Sequence, residues 1–106
     1  MTKITIFKKE NNIVGFEMKG HSGYAESGSD IYCAAISVLA VNCANSLETF
    51  ANAKVSEDEK DGYLKIILKS EPDHDTELLF QSMILGLKGI EDSSKKKYLR
   101  VNFEEV

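Results

Sequence analysis

Residues 30–50 of the chain read DIYCAAISVLAVNCANSLETF. Asp30 is a typical N-cap residue, and the apolar run behind it predicts a helix from about Ile31 to Phe50. Nearly every residue in about the first three turns is apolar or small, so this helix has to be covered on more than one side. One sheet covers only one side. The other side then has to contact a second helix or a second copy of the chain, and in so short a chain we expect a homodimer.

The segments before and after this helix alternate apolar and polar residues, as strands with one buried face do. A first hairpin is predicted around the turn residues 10–12. Its alternating apolar positions are Ile4, Ile6, Val14, Phe16 and Met18. Behind the helix, a short strand start at 54–56, a charged turn over 57–62 and an alternating strand at 64–68 predict a second hairpin.

A second helix and a last strand complete the pattern. Pro72 marks the helix start, and Gly86 allows another element to approach closely. The apolar face of that helix contains Leu79, Met83, Leu87 and Ile90, and the last strand contains Leu99, Val101 and Phe103. The order ββαββαβ predicts an α+β fold, a two-layer sandwich of a mainly antiparallel sheet of about five strands with two helices. We expect residues 1–106 to form a single domain.

Composition narrows the classes of function. The chain has 106 residues, with 13 Lys and Arg against 17 Asp and Glu, for a net charge of −4. This balance makes direct nucleic-acid binding unlikely, since the one basic cluster, Lys95–Lys97, suits a solvated turn. The longest nearly apolar run, Ile31–Val41, is about half as long as the roughly 20 residues of a membrane-spanning helix. The N-terminal residues lack the apolar core of a signal peptide, so we expect a cytoplasmic protein without a membrane partner.

Cys33 is the strongest candidate for chemistry. Near the start of the predicted helix, free N–H groups and the helix dipole favour a thiolate. His21 lies at the end of a predicted strand, just before a glycine-rich loop that leads to this helix, and an imidazole beside a thiol is a usual activating base. Asp30 has two possible roles, as the helix cap or as the group that orients His21. Ser37, one turn after Cys33, either lines the site or bonds back to its own helix.

The other groups that could react carry weaker signals. Cys43 is interpreted as a core residue and His74 as a solvated one. Their spacing with Cys33 and His21 matches no regular zinc pattern, so we expect no metal. The glycine loop lacks the Gly-Lys-Ser/Thr ending of a phosphate-binding loop.

Gly20-His21, the glycine loop and then Ser29-Asp30-Ile31-Tyr32-Cys33-Ala34-Ala35-Ile36-Ser37 closely resemble the ribosomal-processing cysteine protease (Prp) family of small bacterial proteins. Asn45-Ser46-Leu47-Glu48 also fits, and the likeness extends over the whole chain. The chain departs from the family pattern at Tyr32, where a small aliphatic residue is expected, and at Ser22, where Ala is common.

The resemblance implies an activity and a mechanism. Prp proteins cut a short N-terminal extension from the large-subunit ribosomal protein numbered twenty-seven, after a Phe in an apolar-aromatic motif. The resemblance implies that Cys33 is the nucleophile and His21 its base, in a homodimer that needs no cofactor. We expect backbone N–H groups around Cys33 to form the oxyanion hole. We also expect the loop of residues 22–29, with Ser22, Gly23, Tyr24 and Gly28, to close over the bound peptide.

A non-enzymatic ribosome-assembly module is the competing hypothesis. It would bind a ribosomal protein, or RNA through Lys95–Lys97, and Cys33 would then be structural. The net charge of −4 counts against RNA. Selective reactivity of Cys33 over Cys43 would distinguish a protease from such a module.

Overall fold

The computed structural model describes residues 1–20 and 27–106, and over these the predicted order ββαββαβ is confirmed. The strands are β1 (Thr2–Lys9), β2 (Asn12–Lys19), β3 (Val55–Lys60), β4 (Tyr63–Leu68) and β5 (Leu99–Glu105), and the helices are α1 (Ser27–Thr49) and α2 (His74–Ser93). The strands form one sheet in the order β3-β4-β2-β1-β5. Only the β1–β5 pair is parallel among these strands, so the sheet is mainly antiparallel.

One core joins the sheet to the layer of helices. Fully buried side chains come from the strands (Ile4, Ile6, Phe16, Ile66), from α1 (Ile36, Ala40, Leu47) and from α2 (Phe80, Leu87). The two helices also pack on each other at Gly86, where an added Cβ would lie 2.9 Å from Leu39 Cδ1. The predicted role of Gly86 in close approach is therefore confirmed.

A β-bulge corrects one detail of the first hairpin. The β1–β2 register shifts after Phe7, so that Lys8 pairs with Ile13 and Val14 becomes the extra residue. Ile13 is buried and takes the core position that alternation assigned to Val14, which is only half-buried. The N–H of Ile13 donates to Glu77 Oε1 at 3.0 Å, so the bulge also connects the hairpin to α2.

The charged segment 57–60 was predicted as a turn, and that prediction is wrong. Residues 55–60 form the edge strand β3, and the turn itself contains only Asp61 and Gly62. Strand propensity disfavours such charged residues, but on an exposed edge strand they protect against pairing with other chains.

Helix α1 begins earlier than predicted, at Ser27 instead of Ile31. Asp30 therefore lies inside the helix and is not its N-cap, and Gly28 belongs to its first turn, not to a loop. Over Ile31–Thr49 the helix is long and apolar enough to cross a membrane by length and composition alone, with a mean hydropathy of 1.3. The same holds for core helices of soluble proteins, and three residues of this helix are fully buried in the core (Ile36, Ala40, Leu47).

Candidate active site

One end of the sheet and the N-terminal half of α1 enclose a groove of about 770 Å³. The sheet contributes the first residue of β1, the end of β2 and the start of β4, which the strand registers place side by side. Helix α1 contributes Cys33, Ser37 and Val41, which lie on one side of the helix at one-turn spacing. A volume of this size suits a small ligand or a short peptide segment.

Cys33 lies in this groove with a partly exposed side chain. It is a free thiol. Because α1 begins at Ser27, Cys33 is about two helical turns into the helix, and its backbone N–H falls within the regular helical hydrogen-bond ladder. The expected oxyanion hole of backbone N–H groups around Cys33 is therefore wrong, and so is the expectation that Cys33 lies in the first turn.

Gly20 fixes the end of β2 at the edge of the groove. Its N–H donates to the carbonyl oxygen of Gly62 at 2.9 Å, and its φ of 101° is one that residues with a side chain rarely adopt. A Cβ at this position would also lie 2.6 Å from the carbonyl oxygen of Met1. The residue before His21 thus lines the same groove as Cys33.

Several predicted site residues fall outside what the structure describes. His21, Ser22, Gly23 and Tyr24 lie in the segment 21–26, and the side chain of Asp30 is likewise outside the described part. The pairing of His21 with Cys33, the orienting role of Asp30 and the closing loop therefore stay predictions. Ser37 is described, and it lines the groove with an exposed side chain.

The floor of the groove is apolar and its rim is charged. Met18, Ile36 and Leu64, which are buried or half-buried, form the floor, and the end of β3 and the β3–β4 turn bring the exposed charged residues Glu59, Lys60 and Asp61 to the rim. An apolar segment of a ligand would therefore be desolvated at the floor, next to Cys33.

Tyr63, the first residue of β4, lines the groove and is bound to the neighbouring strand β2. Its hydroxyl donates to Glu17 Oε2 at 2.6 Å. This hydrogen bond, with smaller contributions from burial and from the charges of Glu17 and Asp58, raises the pKa of Tyr63 to about 12. The strand register places the Tyr63 side chain with Lys19 and Glu17 on the face of the sheet away from the helices, so this hydroxyl links β4 to β2 and does not face Cys33.

The remaining candidates lie away from the groove. Cys43 is 4% exposed between the helices, its thiol faces the carbonyl oxygen of Leu79 at 3.8 Å, and burial raises its pKa to about 12. His74 is on the surface, with a side chain 87% exposed. Among residues 1–20 and 27–106, no three His, Cys, Asp or Glu side chains come close enough to hold a metal ion.

Sequence reasoning missed the part of the site that the sheet supplies. The hydroxyl Oγ1 of Thr2 lies 3.9 Å from Cys33 Sγ, and the β3–β4 turn forms the opposite rim. The turn at Asp61-Gly62 could be predicted, but no pattern in the sequence indicates that it faces Cys33.

The chain is similar to known proteins both in its sequence and in its fold. The sequence model of a family described as "Cysteine protease Prp" matches residues 1–99. The ribosomal processing cysteine protease Prp of Bacillus subtilis is 28% identical over 92 residues, which are 81% of this chain and 82% of that protein.

Two solved structures are similar to this one over nearly the whole chain. The crystal structure of SMU.848 from Streptococcus mutans is 33% identical, with a TM-score of 0.87, over 100% of this chain and 96% of that one. The Prp protease of S. aureus, solved with a covalently linked product peptide, is 23% identical, with a TM-score of 0.86, over 98% of this chain and 100% of its own. At that identity the second likeness concerns the fold alone.

Proposed function

The chain belongs to the Prp family of cysteine proteases, and from this premise we propose that it removes the N-terminal extension of the bacterial large-subunit ribosomal protein numbered twenty-seven. The observation that carries the proposal is the partly exposed thiol of Cys33 in an apolar-floored groove. The S. aureus relative has been solved with a substrate peptide and with a product peptide, which supports a peptide as the substrate class.

In the proposed reaction, the thiolate of Cys33 attacks the scissile carbonyl carbon, and His21 holds the thiol proton. The tetrahedral intermediate collapses as the C–N bond breaks, and His21 gives its proton to the leaving amine. Water, deprotonated by His21, then attacks the thioester. The C–S bond breaks, the carboxylic acid product leaves, and His21 returns its proton to the Cys33 sulfur, which restores the thiol.

Three features of the described part of the site support this scheme. Gly20 and Cys33 line the same groove, so β2 ends at the groove immediately before His21. The apolar floor of Met18, Ile36 and Leu64 suits a substrate segment rich in apolar and aromatic residues. Ser37 lines the groove one turn beyond Cys33, and its hydroxyl is a candidate donor to the oxyanion.

A single comparison tests the proposal. The purified ribosomal precursor is mixed with wild-type protein or with Cys33→Ala, and its N-terminus is read by mass spectrometry. We expect trimming by the wild type alone, because Ala suits the helix but cannot attack a carbonyl. Trimming by Cys33→Ala would refute the role of Cys33. No trimming by either folded protein would refute the substrate.

A homodimer is the second part of the proposal. Ile31 and Val38, two turns apart on the outer side of α1, are 71% and 66% exposed, and Ala35 between them is also exposed. Contiguous apolar surface of this kind is costly to leave in water, and a second copy would cover it. We expect the wild type to elute as a dimer in size exclusion with light scattering, and Val38→Glu as a folded monomer. Binding of the wild-type protein to lipid vesicles would instead assign this face to a membrane.

We also propose that the protein acts in the cytoplasm, where its two cysteines stay free thiols, and that it does not bind nucleic acid directly, given its net charge of −4. The three lysines 95–97 form an exposed turn ahead of β5, in which Lys95 and Lys96 have positive φ. Membership of a protease family counts against the non-enzymatic assembly module.

A further inference from the structure

Thr2 is a buried polar residue next to Cys33. Its side chain is 3% exposed, at the point where β1 begins, and its Oγ1 lies 3.9 Å from Cys33 Sγ. This is a long hydrogen-bonding distance for sulfur, and such contacts commonly shorten once a substrate is bound. A buried hydroxyl aimed at a thiol can donate to the thiolate and hold it in one direction.

The main chain of Thr2 is fixed by the sheet. Its N–H donates to the carbonyl oxygen of Tyr98 at 3.0 Å, just ahead of the parallel pairing of Thr2 with Leu99. The hydroxyl therefore belongs to a rigid strand and not to a free terminus. Moving its backbone would require breaking the first bonds of the β1–β5 pair, and burial limits rotation of the β-branched side chain.

The same Tyr98 also contacts the helix. Its ring stacks on that of Tyr32, with the centroids 4.8 Å apart and the planes at 25°. Tyr32 directly precedes Cys33 in α1. Two successive helical residues are thus contacted from the sheet side. Tyr98, just before β5, stacks on the ring of Tyr32, and Thr2, at the start of β1, contacts the sulfur of Cys33.

From these contacts we infer that Thr2 is a positioning residue, whose hydroxyl orients the Cys33 sulfur and stabilises it as the thiolate. The inference rests on the proposed function, in which Cys33 is the nucleophile. It adds a residue that the Gly-His and Asp-Ile-x-Cys-Ala-Ala motifs do not contain.

The test compares two substitutions that differ in the hydroxyl. Thr2→Val keeps the shape of the side chain and removes the hydroxyl, whereas Thr2→Ser keeps the hydroxyl. Two quantities are measured for each variant: the rate of Cys33 alkylation by iodoacetamide from pH 6 to 10, and kcat and KM for a precursor peptide. Alkylation does not depend on the substrate, so it separates this inference from the proposed cleavage.

We expect Thr2→Val to alkylate about tenfold more slowly at neutral pH, with the midpoint of the pH profile shifted upward, as for a lost hydrogen bond to a charged group. We expect kcat to fall by a similar factor while KM is kept, and Thr2→Ser to remain within about threefold of the wild type. If Thr2→Val does not fold, Thr2→Ala, which also lacks the hydroxyl, takes its place.

The inference would be overturned if folded Thr2→Val kept the wild-type alkylation rate and kcat. It would also be overturned if Thr2→Val and Thr2→Ser lost these rates equally, because the effect would then come from packing and not from the hydroxyl. Either result leaves the proposed function intact, provided that Cys33→Ala is inactive. A fully active Cys33→Ala would remove the proposed function instead.

Discussion

The two cysteines are expected to differ strongly in their alkylation by iodoacetamide. Only the thiolate reacts, and burial raises the pKa of the Cys43 thiol from 9.0 to about 12. At pH 8 about one Cys43 side chain in 10⁴ is then ionised in the folded protein, against about one in ten at its ordinary pKa of 9.0, so burial lowers its thiolate fraction about 1000-fold. Because Cys33 lies partly exposed in the groove instead, we expect it to react at least about 100-fold faster than Cys43.

The assay is a time course at pH 8 with peptide mapping by mass spectrometry. Cys33→Ala should show only the slow reaction and Cys43→Ala only the fast one, and in strong denaturant the two thiols should react alike. Labelling of Cys43 within tenfold of Cys33, in protein with native near-UV circular dichroism, would refute the reasoning, because Cys43 would then not be packed between the helices.

Burial of Cys43 also links stability to pH. The thiol ionises near pH 9 in the unfolded chain but only near pH 12 in the folded one. Its contribution to the free energy of unfolding is therefore fully present below about pH 9 and is lost as the pH rises towards 12. In urea titrations across this range, Cys43→Ala should lose less stability than the wild type does.

Four further substitutions test other parts of the structure. His21→Ala should keep the melting temperature but lower both the cleavage rate and the alkylation rate of Cys33 at neutral pH, and unchanged alkylation would show that His21 does not activate the thiol. Asp30→Ala should lower the free energy of unfolding in urea by less than the about 1 kcal/mol of a lost N-cap, because Asp30 lies inside α1. Lost cleavage activity at constant stability would assign Asp30 the orienting role. At Gly89 an added Cβ would meet open space, so Gly89→Ala should raise the free energy of unfolding by up to about 1 kcal/mol. At Gly86 an added Cβ would lie 2.9 Å from Leu39, so Gly86→Ala should leave the free energy of unfolding unchanged or lower it in the same assay.

Strand and helix order followed from periodicity because most of the elements, with the exceptions of β3 and α1, have one buried face. Where prediction failed, a tertiary effect competed with the local pattern. The bulge at Val14 moves Ile13 into the core; the adjacent Gly15 is the kind of strand glycine that often marks a bulge, but it does not tell which neighbour becomes the extra residue. Residues 57–60 look like a turn because they are charged, yet an edge strand needs only backbone pairing with β4.

The site was predictable only where its residues are neighbours in sequence. Cys33 and Ser37 are one turn apart on a helix, so their common face could be worked out in advance. Thr2 and the turn at Asp61-Gly62 lie at the groove because the strand registers bring the end of the sheet to α1. Such registers depend on long-range pairing, which a single sequence does not specify.

Helix α1 shows why its composition was hard to interpret. Ile36, Ala40 and Leu47 face the core, Cys33, Ser37 and Val41 face the groove, and Ile31, Ala35 and Val38 face outward. A helix that is apolar on all sides is expected to be buried on all sides, but within residues 1–20 and 27–106 only the first of these three faces is fully buried. The groove face needs small and apolar residues to desolvate a substrate beside the thiol. Nothing within one chain requires the outer face to be apolar. If each copy holds a complete site, Val38→Glu should leave the cleavage rate per site unchanged. A lower rate in the folded monomer would show that the second copy is part of the site.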